Sequence, residues 1–352
     1  MELNYKSKYK EFMSNCKSDG VIFFGASEFG IIMSEKFKDM GINIKYFCDN
    51  DSNKWGKKID NILVISTEEL KQKDRNSNIM ITTIFFEEVY EQLTKLGFKN
   101  IMYRAGGLDN NPFYSEIFIH DNIHKIEKVY NFLEDEKSKR VMNGIIKHRL
   151  TNDFECLLYE NNQYFVSDII HINEKEIFLD GGAYVGDTIE AFLKFSEKSF
   201  EKIYSFEPDK SNVAKLKDFI VNNKIEDKVI VEAKGLHSNT EILNFSSKCG
   251  SGSQISDNGD DTIEVVKIDE YFNNVPVTFI KMDIEGSEMD ALRGAQETIK
   301  KNKPKLAICC YHKIDDLWEI PLMIKKILPE YKIYMRHHSK YLYETVCYAV
   351  ME

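Results

Sequence analysis

Residues 177–187 read IFLDGGAYVGD, and no other stretch restricts the fold as sharply. An apolar run ends in Asp180. Gly181, Gly182 and Gly186 follow, and a helical pattern begins at Thr188. The spacing predicts a strand, a tight turn and a helix start. Glycines let the backbone take positive φ and approach a ligand closely, and a helix N-terminus offers free N–H groups. An acid ahead of the glycines suits a cationic or hydroxyl-rich ligand. Pyrophosphate loops more often place glycine, lysine or serine there.

The same unit recurs down the chain. A strand over 202–206 ends at Glu207-Pro208-Asp209, with Glu207 lying 25 residues past Gly182. That spacing suits a carboxylate that accepts both hydroxyls of a ribose. A helix over 210–222 leads to a strand over 229–233, and Gly235-Leu236-His237 follows, placed to flank an adenine. Residues 238–262 are rich in Ser, Gly, Asn and Asp (Ser251-Gly252-Ser253-Gln254) and read as a hairpin insertion with a loop able to fold over ligand.

A buried-type strand over 277–282 runs into Asp283-Ile284-Glu285-Gly286, and a helix over 287–300 follows. A strand over 306–311 ends in His312-Lys313. After another helix come two closing strands, 331–336 (ending at His337-His338) and 345–351. Alternating strands and helices imply a parallel sheet covered on both faces, here with its last strand inserted antiparallel. In such sheets ligands sit at the carboxyl ends of strands. Asp180, Glu207, Asp283, Glu285, His312 and His337 all fall at or just after such ends.

Together these features read as a site for S-adenosylmethionine (SAM). Asp180, Gly181, Gly182, Ala183, Tyr184, Gly186 and Asp187 take its methionine end. Glu207, Pro208 and Asp209 take the ribose, Gly235 and Leu236 the adenine, and Asp283 and Glu285 close the pocket.

The first 110 residues carry a second alternation. Strands are expected at 21–24, 44–48, 62–64, 79–83 and 100–103, with helices up to Met40, around Glu68 and over 87–96. Gly25-Ala26-Ser27-Glu28-Phe29-Gly30 resembles a dinucleotide fingerprint, and Asp49 lies 24 residues past Gly25. Ser27, however, stands where that fingerprint needs its second glycine to admit a pyrophosphate. Cofactor binding, contact with a nucleotide-linked sugar, and a structural or self-association role all remain open for this segment. Asp49 to Gly56 lacks the closing glutamate of a calcium loop and reads as a solvated turn. Pro112 punctuates the domain end. Residues 111–172 form a helical linker with two helices over 119–150, and Tyr164-Phe165 serves either as a cap on the pocket or as aromatic core.

Bulk properties narrow the function classes. The 352 residues suffice for two or three domains, and 43% hydrophobic content supports a sizeable core. A net charge of −10 argues against binding a nucleic-acid backbone. The seven cysteines form no CxxC pair, and adjacent Cys309 and Cys310 lie in an apolar run, so all read as reduced thiols. The N-terminal residues lack a signal-peptide apolar region, and no run reaches the ~18 apolar residues of a membrane span. A cytoplasmic protein is expected.

Three stretches resemble the FkbM family of SAM-dependent methyltransferases: FLDGGAYVGDTIEAF (178–192), YSFEPDKSNVAKL (204–216) and FIKMDIEGSEMDALRGAQETI (279–299). The third is the most specific. Tyr184 departs from the family's GANxG, which carries Asn at that position. A narrower resemblance covers CCYHKIDDLWEIPLMIKKILPEYKIYMRHHS (309–339), the linker, and the FGASEFG, CDND and KWG segments, which look like Rossmann-like domains attached to sugar-modifying enzymes. The resemblance implies a class I (Rossmann-like) α/β methyltransferase domain of seven strands over 173–352, preceded by the helical linker and a smaller Rossmann-like α/β domain over 1–110. It also implies methyl transfer to a hydroxyl or amine of a sugar, glycan or related metabolite.

Methyl transfer displaces a sulfonium in line and requires management of the acceptor's proton. His312 is expected as the base, because histidine titrates near neutrality, with Asp283 and Glu285 beside it. His312 as a structural or sugar-binding residue remains equally open. Asp283, Glu285 and His312 as divalent-metal ligands form a lesser alternative, since no spacing enforces it, and no metal is assigned. Two competing readings are an NAD-dependent oxidoreductase using the first glycine turn, which Ser27 opposes, and a non-catalytic sugar-nucleotide binding or scaffold protein, which the intact acids and glycines oppose.

Overall fold

A computed structural model describes residues 8–83, 85–103, 116–151, 153–246, 254–255, 259 and 261–351. It divides into two compact units. One runs to Asp121 and takes in Ile145–Cys156; the other comprises Asn122–Gly144 and the chain from Leu157 onward. Among the described residues no helix is long and apolar enough to cross a membrane.

The first unit holds a six-stranded sheet. Its strands are β1 (Val21–Phe24), β2 (Ile44–Cys48), β3 (Lys58–Ile59), β4 (Ile62–Ile65), β5 (Ile79–Ile81) and β6 (Ile101–Tyr103). The order is β3-β4-β2-β1-β5-β6, parallel except for β3 against β4. This is the expected Rossmann-like arrangement, with the two-residue β3 added at the edge. The stretch before β1 is a helix, Lys8–Asp19, whose Phe12 and Cys16 are buried one turn apart. Phe23 of β1 meets Phe37 of the helix Glu28–Asp39 edge to face at 5.0 Å.

The turn after β1 is closed on itself. Ser27 Oγ accepts from Gly30 N at 3.1 Å as the helix N-cap and donates to Thr82 O at 2.7 Å. Asp49 Oδ2 accepts from Ala26 N at 2.8 Å and from Lys54 Nζ at 2.9 Å, and its Oδ1 accepts from Asp51 N at 2.9 Å. The acid at ribose-binding spacing is therefore engaged in holding the turn. Those three hydrogen bonds outweigh burial and hold its carboxyl below the usual range.

In the second unit the large sheet is built from β7 (Ile177–Gly181), β8 (Lys202–Phe206) and β9 (Val229–Glu232). Next in the chain come β10 (Gly235–His237), β11 (Glu241–Ser246), β12 (Gln254–Ile255) and β13 (Asp261–Lys267), which pair in the order β10-β13-β11-β12. The hairpin expected within 238–262 is thus present, while its Ser251-Gly252-Ser253 segment lies outside the described residues. The large sheet resumes with β14 (Phe279–Met282), β15 (Lys305–Cys309), β16 (Lys332–His337) and β17 (Thr345–Val350). Its order is β16-β17-β15-β14-β7-β8-β9, with only β17 antiparallel to its neighbours.

Adjacent strands β7 and β14 put Phe178 and Phe279 in register. Their rings stack at 4.9 Å, and Phe192 of the following helix stacks on Phe178 at 4.7 Å. This aromatic core fixes the strand ends from which the site is built.

Candidate active site

Two strand-end turns meet at the centre of the large sheet. After β7, Gly182 takes φ 75° and Gly186 takes φ 100°. A Cβ on Gly182 would stand 1.8 Å from Asp283 O, so this turn and the one after β14 pack backbone to backbone. Tyr184 takes φ 46°, a region where Asn is enriched and larger side chains are strained. This departure from the family pattern is therefore a tyrosine in an asparagine-type conformation.

A cavity of about 300 Å³ opens over these turns. Gly182, Tyr184, Asp187, Glu207, Pro208, Gly235 and Leu236 line one part, joined by Phe245, Ile255 and Ile263 from the inserted sheet. Asp283, Glu285, Tyr311, Lys281, Gln163, Tyr164 and Glu344 line another. Of the expected site residues, Asp180, Gly181, Ala183, Gly186, Asp209 and His312 are not on the wall.

Glu207 hangs from the end of β8. Its Oε2 accepts from Tyr184 N at 3.0 Å and its Oε1 from Asp209 N at 3.0 Å. Burial pushes its carboxyl up against these bonds. Oε1 also accepts from Asn212 Nδ2 at 3.4 Å, so Oε2 is the oxygen with a second lone pair left for a ligand hydroxyl. Asp209 serves as N-cap of the helix Lys210–Asn223.

Asp180 sits beneath the wall with no exposure, facing Lys281 on the neighbouring strand at 3.1 Å. Lys281 Nζ donates to Gly181 O at 3.1 Å and Gly182 O at 2.8 Å, and it lies over the Tyr164 ring at 5.1 Å. The lysine, which the sequence reading missed, stands between Asp180 and the cavity. Burial lifts the Asp180 carboxyl. Against its own burial, Lys281 is held charged by Asp180 and Asp283.

Asp283 accepts from Tyr164 Oη at 2.7 Å and from Tyr311 Oη at 3.2 Å. Burial opposes its ionisation, but Lys281 and His312 prevail and keep its carboxyl below the usual range. Tyr164 and Phe165 divide the two roles considered for them: Tyr164 lines the cavity and Phe165 packs edge-on to Phe178 in the core.

His312 follows β15 and is almost buried. Its Nδ1 lies 3.0 Å from Glu288 Oε1, and its Nε2 lies 3.4 Å from Asp283 Oδ1 and 3.6 Å from Glu285 Oε2. Burial alone would strip its proton, yet Glu288 first, then Asp283 and Glu285, raise its pKa to about 9. A histidine already protonated at neutral pH does not accept a proton, so the expected base role does not suit it. Asp283, Glu288 and His312 bring donor atoms within 4.8 Å of one another. His312 is the cation that these carboxylates share, and they outnumber it. His337 ends β16, the outermost strand, and does not line the cavity; it is buried with Nδ1 2.8 Å from Thr345 Oγ1.

A seven-stranded sheet with one antiparallel strand next to its edge, and glycine and acid turns at its central strand ends, defines the class I methyltransferase fold. The family model for the methyltransferase FkbM domain matches residues 180–337. That match identifies the second unit as an FkbM methyltransferase domain, and the chain as a methyltransferase. Among curated proteins none matches.

Of solved structures, the methyltransferase FkbM from Methylobacillus flagellatus KT aligns over 98% of this chain and 93% of its own, at 24% identity and a TM-score of 0.75. This likeness establishes the fold. An rRNA methylase from Streptococcus thermophilus (13% identity, 53% of this chain, 93% of its own, TM-score 0.34) and a SAM-dependent methyltransferase from Aquifex aeolicus (17%, 50%, 84%, 0.31) are more distant and carry no weight.

Proposed function

We propose that the protein transfers a methyl group from S-adenosylmethionine to a hydroxyl, or less often an amine, of a sugar, glycan or related small metabolite in the cytoplasm. The observation that carries this reading is the single cavity shared by Glu207, the Gly182 turn, Asp283 and Glu285. Its parts fit the donor. Glu207 would take the ribose hydroxyls, and Leu236, Phe245, Ile255 and Ile263 offer an apolar wall for adenine. Asp187, at the start of the helix after the turn, would receive the methionine end, because Gly182 N, Ala183 N, Tyr184 N and Gly186 N already donate to Phe206 O, Glu207 Oε2 and Ala183 O. Asp180 would act from below by fixing Lys281 under that turn. SAM supplies the activated methyl group; the protein supplies position and charge.

The oxidoreductase alternative finds less support, because Asp49 is committed to Ala26, Lys54 and Asp51. The acceptor is tested by incubating the protein with labelled SAM and a panel of sugars and glycan precursors, then identifying labelled product by mass spectrometry. Label on a saccharide oxygen or nitrogen supports the reading; label only on an unrelated class of acceptor refutes the substrate assignment.

A further inference from the structure

We propose that Glu285 receives the proton released by the acceptor during methyl transfer, and that His312 is its positioning residue. The proposal rests on the SAM reading above. Five carboxylates line the cavity. Asp187 and Glu207 belong to the glycine-turn side. Asp283 accepts from two tyrosine hydroxyls, and Glu344 accepts from Gln163 Nε2. Glu285 accepts no hydrogen bond among the described residues; the cation facing it is His312 Nε2 at 3.6 Å.

Its backbone is held for the purpose. Glu285 takes φ 53° and Gly286 φ 93°, a left-handed pair directly after β14. A non-glycine residue there carries strain that persists only where surrounding structure imposes it, as functional sites do. The groups facing Glu285 are His312 and Tyr311 beyond β15, Asp283 beyond β14, Glu288 on the helix Glu288–Arg293, and Glu344 before β17. Lys313 approaches the adjoining Gly286. Burial, against His312 and with the neighbouring acids, pushes the Glu285 carboxyl up to about 7. A base works best when its pKa lies near the working pH.

The step balances as follows. A lone pair on the acceptor oxygen forms the new bond to the methyl carbon. The carbon–sulfur bond breaks and its electron pair stays on sulfur, turning the sulfonium into a neutral thioether. The proton on the acceptor oxygen passes to a Glu285 carboxylate oxygen. His312, charged and locked to Glu288, keeps that carboxylate turned toward the cavity.

The test needs no acceptor. SAM carries the sulfonium charge and S-adenosylhomocysteine does not. Calorimetric affinities for both are measured from pH 5.5 to 8.5 in the wild type, Glu285→Gln and Glu285→Asp. The ratio of SAM affinity to S-adenosylhomocysteine affinity is expected to rise roughly fivefold through pH 7 in the wild type and in Glu285→Asp, and to stay flat in Glu285→Gln. A ratio that is flat in the wild type, or that still rises in Glu285→Gln, overturns the assignment of Glu285 and leaves the SAM reading standing. Failure of the wild type to bind SAM at any pH removes both. An independent readout is thermal stability. Glu285→Gln should match the wild type near pH 4.5 and exceed it above pH 7, and an equal difference at both would also count against Glu285.

Discussion

Lys281 Nζ and Asp180 Oδ1 lie 3.1 Å apart on neighbouring strands, and neither side chain is more than 1% exposed. The two are direct cross-strand partners of β14 and β7. The pair holds together the two turns that form the cavity floor, because the same ammonium binds Gly181 O and Gly182 O.

Removing one partner strands the other charge. Asp180→Ala is expected to cost about 3–5 kcal/mol of stability, measured by urea denaturation. Asp180→Leu combined with Lys281→Met should recover part of that loss. A stable Asp180→Ala protein that fails only in ligand binding would show that the acid contacts ligand rather than lysine.

Tyr184 stands at φ 46°, which costs an L-residue roughly 1–2 kcal/mol. Asparagine tolerates that region better. Tyr184→Asn should therefore hold or raise the melting temperature, despite the loss of an aromatic ring. A fall of several degrees would mean that tyrosine packing on the cavity wall outweighs the backbone strain.

His312 has its pKa raised to about 9, against an unfolded value near 6.5. A raised histidine stabilises fully below the unfolded pKa, and the contribution is lost as pH climbs through the folded pKa. The gap in unfolding free energy between wild type and His312→Gln should be on the order of 2–3 kcal/mol at pH 6 and should shrink by pH 9.5. A gap that does not change with pH would contradict the ion-pair network. If His312 is the cation this cluster uses, EDTA should leave the melting temperature unchanged; a marked drop would point to a metal at Asp283, Glu288 and His312.

Asp49 holds the first glycine turn through Ala26 N and Lys54. Asp49→Ala should destabilise the protein by about 1–3 kcal/mol and leave SAM affinity unaltered. Hydrogen exchange at the Ala26 amide would locate the loss. Faster exchange there is expected, and unchanged protection would disprove the holding role.

The strand ends were legible because each apolar run stops at an acid or glycine. Hence β1, β2, β7 and β8 fall where the spacing puts them. The two-residue strand β3 carries too few residues for any alternation to register. The helix Lys8–Asp19 is mostly polar and is signalled by a short apolar stripe, Tyr9, Phe12, Met13 and Cys16.

Within the site, Glu207, Asp283 and Glu285 could be placed from strand-end position alone. Lys281 was hidden inside FIKM, where a charge reads as a solvated intruder. The signal available was Asp180, equally buried on what becomes the next strand. Gln163 and Glu344 come from segments remote in sequence, and only the folded chain brings them to the cavity. His337 ends β16 as its strand-end position implied, yet it does not line the cavity. The protonation of His312 depends on Glu288, whose approach no linear spacing reports.

The central claim is that Glu207 and the glycine turn bind an adenosylated sulfonium. Isothermal calorimetry of the wild type and Glu207→Ala with SAM, and of the wild type with NAD, tests it most directly. Micromolar or tighter SAM binding by the wild type is expected, weakened by roughly 10- to 100-fold in Glu207→Ala as charged hydrogen bonds to the ribose are lost, with no heat from NAD. Equal SAM affinity in both proteins, or binding of NAD in place of SAM, would contradict the account.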